Sequence, residues 1–208
     1  MKIPDHHAYK ILEGYGINIA PYRFARSLKE AKEFSEKMSY PLFLKIDSPD
    51  VIHKSDSGCV ISVNADYDLE NRFNELMKNA NRITKNINGV IIQENVEGKE
   101  FIIGSKNDEQ FGMVIAFGLG GIFVEAIKDI SFRLIPIGRP DAESMIRETK
   151  AFNVLKSRGK SDIDEVADVL MKVSNLAENE NINELDINPL IVTERGAYVA
   201  DVRITKNE

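Results

Sequence analysis

The chain has 208 residues, 43% of them hydrophobic, and its 33 acidic residues outnumber 27 basic ones for a formal net charge of -6. It is long enough to bury a sizeable core, and its charge argues against broad electrostatic binding to nucleic acid or to an anionic membrane. A single cysteine, Cys59, excludes an intramolecular disulfide and a cysteine-rich zinc site, while no run approaches the ~18 apolar residues of a membrane span, so the cytoplasm is the expected location.

In chain order, residues 5–13 read as a short helix, with Pro4 near its start and Gly14 and Gly16 ending it. A strand follows at 22–25. Ser27 with Glu30 three residues on is a capping-box pattern, predicting a helix to about Met38 that Pro41 closes off. Residues 42–46 form a compact apolar strand interrupted by Lys45, a polar connection carries His53, and 59–63 is the next strand. Leu69, Phe73, Leu76, Met77, Ala80 and Ile83 fall on one helical face, which is core, and 89–93 is another strand. The second half is richer in strands, at 100–105, 113–117 and 132–136. A short helix at 141–148 and an amphipathic one marked by Ile163, Val166, Ala167, Leu170, Val173 and Ala177 follow. Strands near 190–192 and 198–202 read as a terminal hairpin around Glu194, Arg195 and Gly196.

Chemistry concentrates in a few places. Glu184, Asp186 and Asn188 precede Pro189, and Asp201 and Arg203 lie on the returning strand. If the two strands pair, Asn188 and Asp201 face one another, offering oxygens to a hard cation such as Mg²⁺. The bland alternative is a turn, since Asp, Asn and Pro are ordinary loop formers and Asp186 could cap a backbone. Gly118, Gly120 and Gly121, after an apolar strand, let backbone amides approach phosphate, and Arg133 downstream of them could add a charge-assisted contact; a glycine-rich strand connection is equally common. Lys45, in an apolar strand, is expected to reach an anion or a carboxylate, because an unpaired buried ammonium is costly. His53 could act as a base, ligate metal or accept a phosphoryl group, or be a solvated loop histidine. His6 and His7 sit together in the first helix and read as surface positions with no chemistry.

Taken together, the segments 42–46, 48–60, 91–104, 111–136 and 184–203 resemble the ATP-grasp domain, or β subunit, of the ADP-forming acyl-CoA synthetases, relatives of succinyl-CoA synthetase. The resemblance spans almost the whole chain and rests on the order and spacing of several weak motifs. It implies an α/β ATP-grasp fold over 1–208, two lobes enclosing a nucleotide cleft: a smaller one about 21–93, and a larger one about 94–208 with the helix at 5–13. It implies further that Lys45 contacts the nucleotide phosphates, that 93–96 (Gln93, Glu94 and Val96 among them) forms the hinge beside adenine, and that Glu100 engages ribose. Gly118, Gly120 and Gly121 would border the phosphates. Asn188 and Asp201 would bind Mg²⁺, with Glu184 and Asp186 as further contributors.

By the same resemblance, His53 matches a histidine that ferries a phosphoryl group, and the cofactors are ATP/ADP and Mg²⁺. The chain departs from the family's usual pattern at one place, where Gly58 is followed by Cys59 rather than a second glycine. With no CoA-binding segment in the sequence read, the expected partner is a separate CoA-binding α subunit, in a heterotetramer. Two other readings stand beside this one: a stand-alone ATP-grasp carboxylate ligase, which needs no phosphohistidine, and a nucleotide-sensing module without turnover.

Overall fold

The computed structural model describes residues 1–51, 54, 56–121, 129–156 and 160–206. The chain falls into two compact units, the smaller comprising 4–7 and 20–95 and the larger 1–3, 8–19 and 96–208. Helix α1, Asp5–Gly14, contributes its first turn to the smaller unit and its remainder to the larger.

In the smaller unit the local signals act as read. Ser27 caps α2, Leu28–Ser35, by accepting from the Glu30 N–H at 3.2 Å, while Glu30 reaches back to the Arg26 N–H. Strands β1 (Tyr22–Ala25), β2 (Leu42–Asp47), β3 (Val60–Val63) and β4 (Gly89–Glu94) form an antiparallel sheet in the order β1-β4-β2-β3. Helix α3, Leu69–Ala80, lays Leu69, Phe73, Leu76 and Ala80 against Leu42, Leu44, Ile46, Val90 and Ile92 of one sheet face. Strand alternation then puts Lys45, Asp47, Ile91 and Gln93 on the other face. Each fully buried aliphatic side chain contributes roughly 1.5–3 kcal/mol.

The larger unit is built on β5 (Lys99–Asp108), β6 (Gly112–Leu119), β7 (Ile130–Leu134), β8 (Ile182–Thr193), β9 (Gly196–Val199) and β10 (Val202–Lys206). All pair antiparallel in the order β10-β8-β5-β6-β7, with β9 paired to β8. Helices α4 (Arg139–Glu148), α5 (Ala151–Lys156) and α6 (Lys160–Asn179) complete it, α4 and α6 packing on the sheet. Gly138 donates its N–H to Asp141 at 3.0 Å, which fixes the start of α4. The apolar stripe read in α6 is core: Val166, Ala167, Leu170, Val173 and Ala177 are buried. Helix α5 and the first half of β8 are additions to the expected elements. Among the described residues no helix is long and apolar enough to cross a membrane.

Strand β8 contains the feature that positions the candidate metal residues. Leu185 and Ile187 point to the helix-covered face and so do Leu190 and Val192, a change of parity that requires one extra residue between Ile187 and Leu190. The register with β5 slips there: Phe101 pairs with Leu190, but Ile103 pairs with Ile187. Pro189 cannot donate to a ladder, and the bulge absorbs it.

Candidate functional site

The bulge leaves Asn188 exposed opposite the returning chain, where its N–H donates to the Asp201 carbonyl at 3.1 Å and Ala200 donates to the Pro189 carbonyl at 3.0 Å. Asn188 and Asp201 are therefore cross-strand neighbours, as the hairpin expectation required. Upstream on β8 the sequence admitted a turn at Asp186; the structure has a strand, with Asp186 opposite Arg203 of β10. Arg203 donates to Glu184 at 3.0 Å. Burial pushes the Asp186 carboxyl above its ordinary pKa, Arg203 opposes this, and the charges of Glu184 and Asp201 add to it. The result is a patch rich in oxygen donors with one internal cation.

Two carbonyl-bearing side chains suit a hard cation that keeps water and ligand oxygens in its other positions, which is how Mg²⁺ is usually held. Among the described residues no group of three or more His, Cys, Asp and Glu side chains forms a metal cage. Beside this patch a cavity of about 290 Å³ is floored by Gly104 and Ala116 and walled by Glu184, Asp186, Lys106 and Phe132. Sequence reading assigned only Glu184 and Asp186 of this trough, as further metal contributors; small residues at Gly104 and Ala116, opposite one another on neighbouring strands, were the signal for its floor.

The glycine stretch and Glu100 come together. Gly120 donates its N–H to the Glu100 carbonyl at 2.9 Å, and a Cβ at Gly120 would lie 2.9 Å from the Glu100 backbone, so no other residue fits without displacing β5. Gly121 has φ +68, and a Cβ there would sit 2.9 Å from the Glu100 carboxylate. The Glu100 side chain thus borders the backbone expected to line the phosphates.

Arg133 is placed elsewhere than expected. On β7 it faces the helices, where it forms an ion pair with Glu148 of α4 and donates to Ser144 at 3.1 Å. Its hydrogen bond, with those of Ser131 and Ser144, holds the Glu148 carboxyl down at about 2. A guanidinium so engaged by α4 does not support the phosphate role expected of it.

In the smaller unit, Lys45 donates to Gln93 Oε1 at 2.5 Å, and Gln93 Nε2 points to the Ala20 carbonyl at 3.4 Å. The Gln93 amide is thus one partner of the buried Lys45 ammonium, on the sheet face away from α3. Glu94 accepts from the Ser39 N–H at 2.9 Å, and the chain passes from the smaller unit to the larger between Asn95 and Val96. His53 lies outside the described residues. The next residue, Lys54, is described: it is buried and ion-paired with Asp5, a contact sequence reading missed because helix and connection lie far apart in the chain. His6, expected to be a surface residue without chemistry, pairs through Nδ1 with buried Asp47 at 2.6 Å.

Comparison with known proteins bears on the family and the fold. The ATP-grasp domain family matches residues 2–205. The ADP-forming acetate–CoA ligase I of Archaeoglobus fulgidus is 46% identical over 205 residues, covering 95% of this chain and 30% of that protein. The β subunit of the ADP-forming acetate–CoA ligase I of Pyrococcus furiosus is 43% identical, covering 96% of this chain and 90% of the subunit. The chain thus spans under a third of the first relative's length and most of the second's. In three dimensions it is similar to the dinucleotide-forming acetyl-coenzyme A synthetase 1 of Ca. Korarchaeum cryptofilum, solved with coenzyme A, Ca-AMPCP and HgCl+. The TM-score is 0.91 and the identity 38%, over 99% of this chain and 93% of that one. On these grounds the chain belongs to the ATP-grasp domain family and, within it, to the β-subunit type of the ADP-forming acetate–CoA ligases.

Proposed function

We propose that the chain is the nucleotide-binding β subunit, or the corresponding domain, of an ADP-forming acyl-CoA synthetase. The net reaction is acyl-CoA + ADP + phosphate = acid + ATP + CoA. The observation that carries this reading is the cross-strand pair Asn188–Asp201 on an acidic sheet face, with Glu100 held against Gly120 and Gly121 in the same unit. Asn188 and Asp201 hold Mg²⁺, which supplies charge neutralisation to the nucleotide phosphates when bound. Lys45 contacts the phosphates, Gln93, Glu94 and Val96 border adenine, Glu100 engages ribose, and Gly118, Gly120 and Gly121 line the phosphate region. Arg133 is left out of this set.

The chain's own contribution is positioning and electrostatic stabilisation of a moving phosphoryl group. His53 accepts that group from an acyl phosphate, releasing the acid, and passes it to ADP. A CoA-binding α subunit, the natural counterpart of a β subunit, makes the acyl phosphate from acyl-CoA and phosphate. A buried lone cysteine fits the cytoplasm.

Incubation with γ-labelled ATP and Mg²⁺, with and without such a partner, tests the assignment. Wild type becomes an acid-labile, alkali-stable phosphoprotein and His53→Ala does not. Equal labelling of the variant, or no labelling of wild type with its partner, overturns the role of His53.

A further inference from the structure

Adjacent residues of one helix, Asp5 and His6 in the first turn of α1, are tied to two points of the connection between β2 and β3. At its start, Asp47 is fully buried at the end of β2. Its Oδ2 accepts from the His6 backbone N–H at 2.8 Å and pairs with His6 Nδ1 at 2.6 Å, while Oδ1 accepts from Asn88 Nδ2 at 3.0 Å. The His6 ring stacks on Phe24, 4.1 Å between centroids and 9° from parallel.

Further along, Lys54 Nζ donates to Asp5 Oδ2 at 3.0 Å, and both side chains are removed from solvent, 6% and 1% exposed. The Lys54 carbonyl in turn accepts from the Cys59 N–H at 2.8 Å and from Ser57 Oγ at 3.1 Å. All of these residues belong to the smaller unit.

A lysine in a polar connection ordinarily keeps its ammonium in water, and burying an ion pair gains little stability because desolvation offsets the attraction. What a buried pair does fix is geometry, since removing one partner leaves the other charge uncompensated. The backbone it holds here is that of the residue following His53. We propose that Asp5 and Lys54, with the His6–Asp47 pair behind them, are positioning residues for phosphoryl transfer: they hold the chain at Lys54, the next residue in sequence after His53. This rests on the reading of His53 as phosphoryl acceptor.

The test compares Asp5→Asn/Lys54→Met with wild type and His53→Ala in the reconstituted enzyme. The double variant removes both charges of the pair together, and its folding is checked by thermal melting before labelling. Labelling from γ-labelled ATP should slow at least tenfold while the Kd for ADP stays within twofold, and Lys54→Arg, which keeps the pair, should label within threefold of wild type. A folded double variant that labels at the wild-type rate overturns the proposal, as does an equal loss in ADP affinity. If the double variant melts below the assay temperature, Asp5→Glu, which shifts the anchor by one methylene, replaces it. Labelling slowed severalfold at unchanged ADP affinity supports the anchor, and unchanged labelling refutes it. His53→Ala separates the two ideas, because wild-type labelling of that variant removes the acceptor itself.

Discussion

The two faces of the six-stranded sheet are made by the same strands and have little else in common. Toward α4 and α6, Phe101, Ile103, Ile115, Phe117, Leu185 and Ile187 are all buried, and Arg133 on that side is paired with Glu148. The opposite face carries Glu184, Asp186, Asn188, Gly104 and Lys106, and Phe132 and Leu134 there remain 58% and 55% exposed. One face is filled by packing and decides which fold forms. The other is left unfilled by the described residues, and its composition, carboxylates and glycine at one side and apolar side chains at the other, is what the proposed ligand-binding role calls for.

Three measurements would sharpen or break this contrast. Phe117→Ala on the covered face removes a ring that stacks at 5.9 Å from Phe101, and should cost about 3–5 kcal/mol in denaturant unfolding. Its Mg-nucleotide affinity per folded molecule should be unchanged; a weakened site in folded protein would show that the faces are coupled.

Next in size, Asp201→Ala on the open face should lower Mg²⁺-dependent nucleotide affinity by roughly 10²-fold, read by calorimetric titration, with a nearly unaltered unfolding midpoint. Large destabilisation with affinity retained would assign Asp201 to the fold instead.

The smallest effect concerns acid stability. Because Arg133 first, then Ser131 and Ser144, hold Glu148 down from its ordinary 4.5 to about 2, this carboxylate favours the folded state above its ordinary pKa. The benefit fades as pH falls from 4.5 through about 2. The Tm gap between wild type and Glu148→Gln should therefore be present at neutral pH and close across that window. A gap that widens on acidification would mean the pairing with Arg133 does not govern Glu148.

The covered face was the legible one. Apolar positions at helical spacing identified the buried stripes of α3 and α6, except that Ile83 lies past the end of α3 and is 48% exposed, and the Ser27 cap and strand β1 fall where local patterning placed them. Those signals are short-range and repeat along the element, so they survive without tertiary information. Asn188 and Asp201 were readable too, because a tight hairpin converts sequence distance into pairing. Asp186 was less so: in isolation Asp, Asn and Pro are turn residues, and only pairing of β8 with β5 and β10 on both sides overrides that tendency. Arg133 and Lys45 show the remaining limit. A lone charge in an apolar strand announces that a partner exists, but whether the partner is Glu148, Gln93 or a ligand depends on residues brought in by the fold. The same holds for Asp5 and Lys54, separated by 49 positions.

The irregularity at Asn188 and Pro189 also governs what kinds of change β8 can accept. The segment before it and the segment after it present opposite parities to the core, so β8 behaves like two reading frames spliced by one inserted letter. Replacing a letter alters one side chain. Losing one would turn every downstream residue over, sending Leu190 and Val192 into water and the ends of the hairpin out of step with Asp201, so this strand can drift in composition while its length stays fixed.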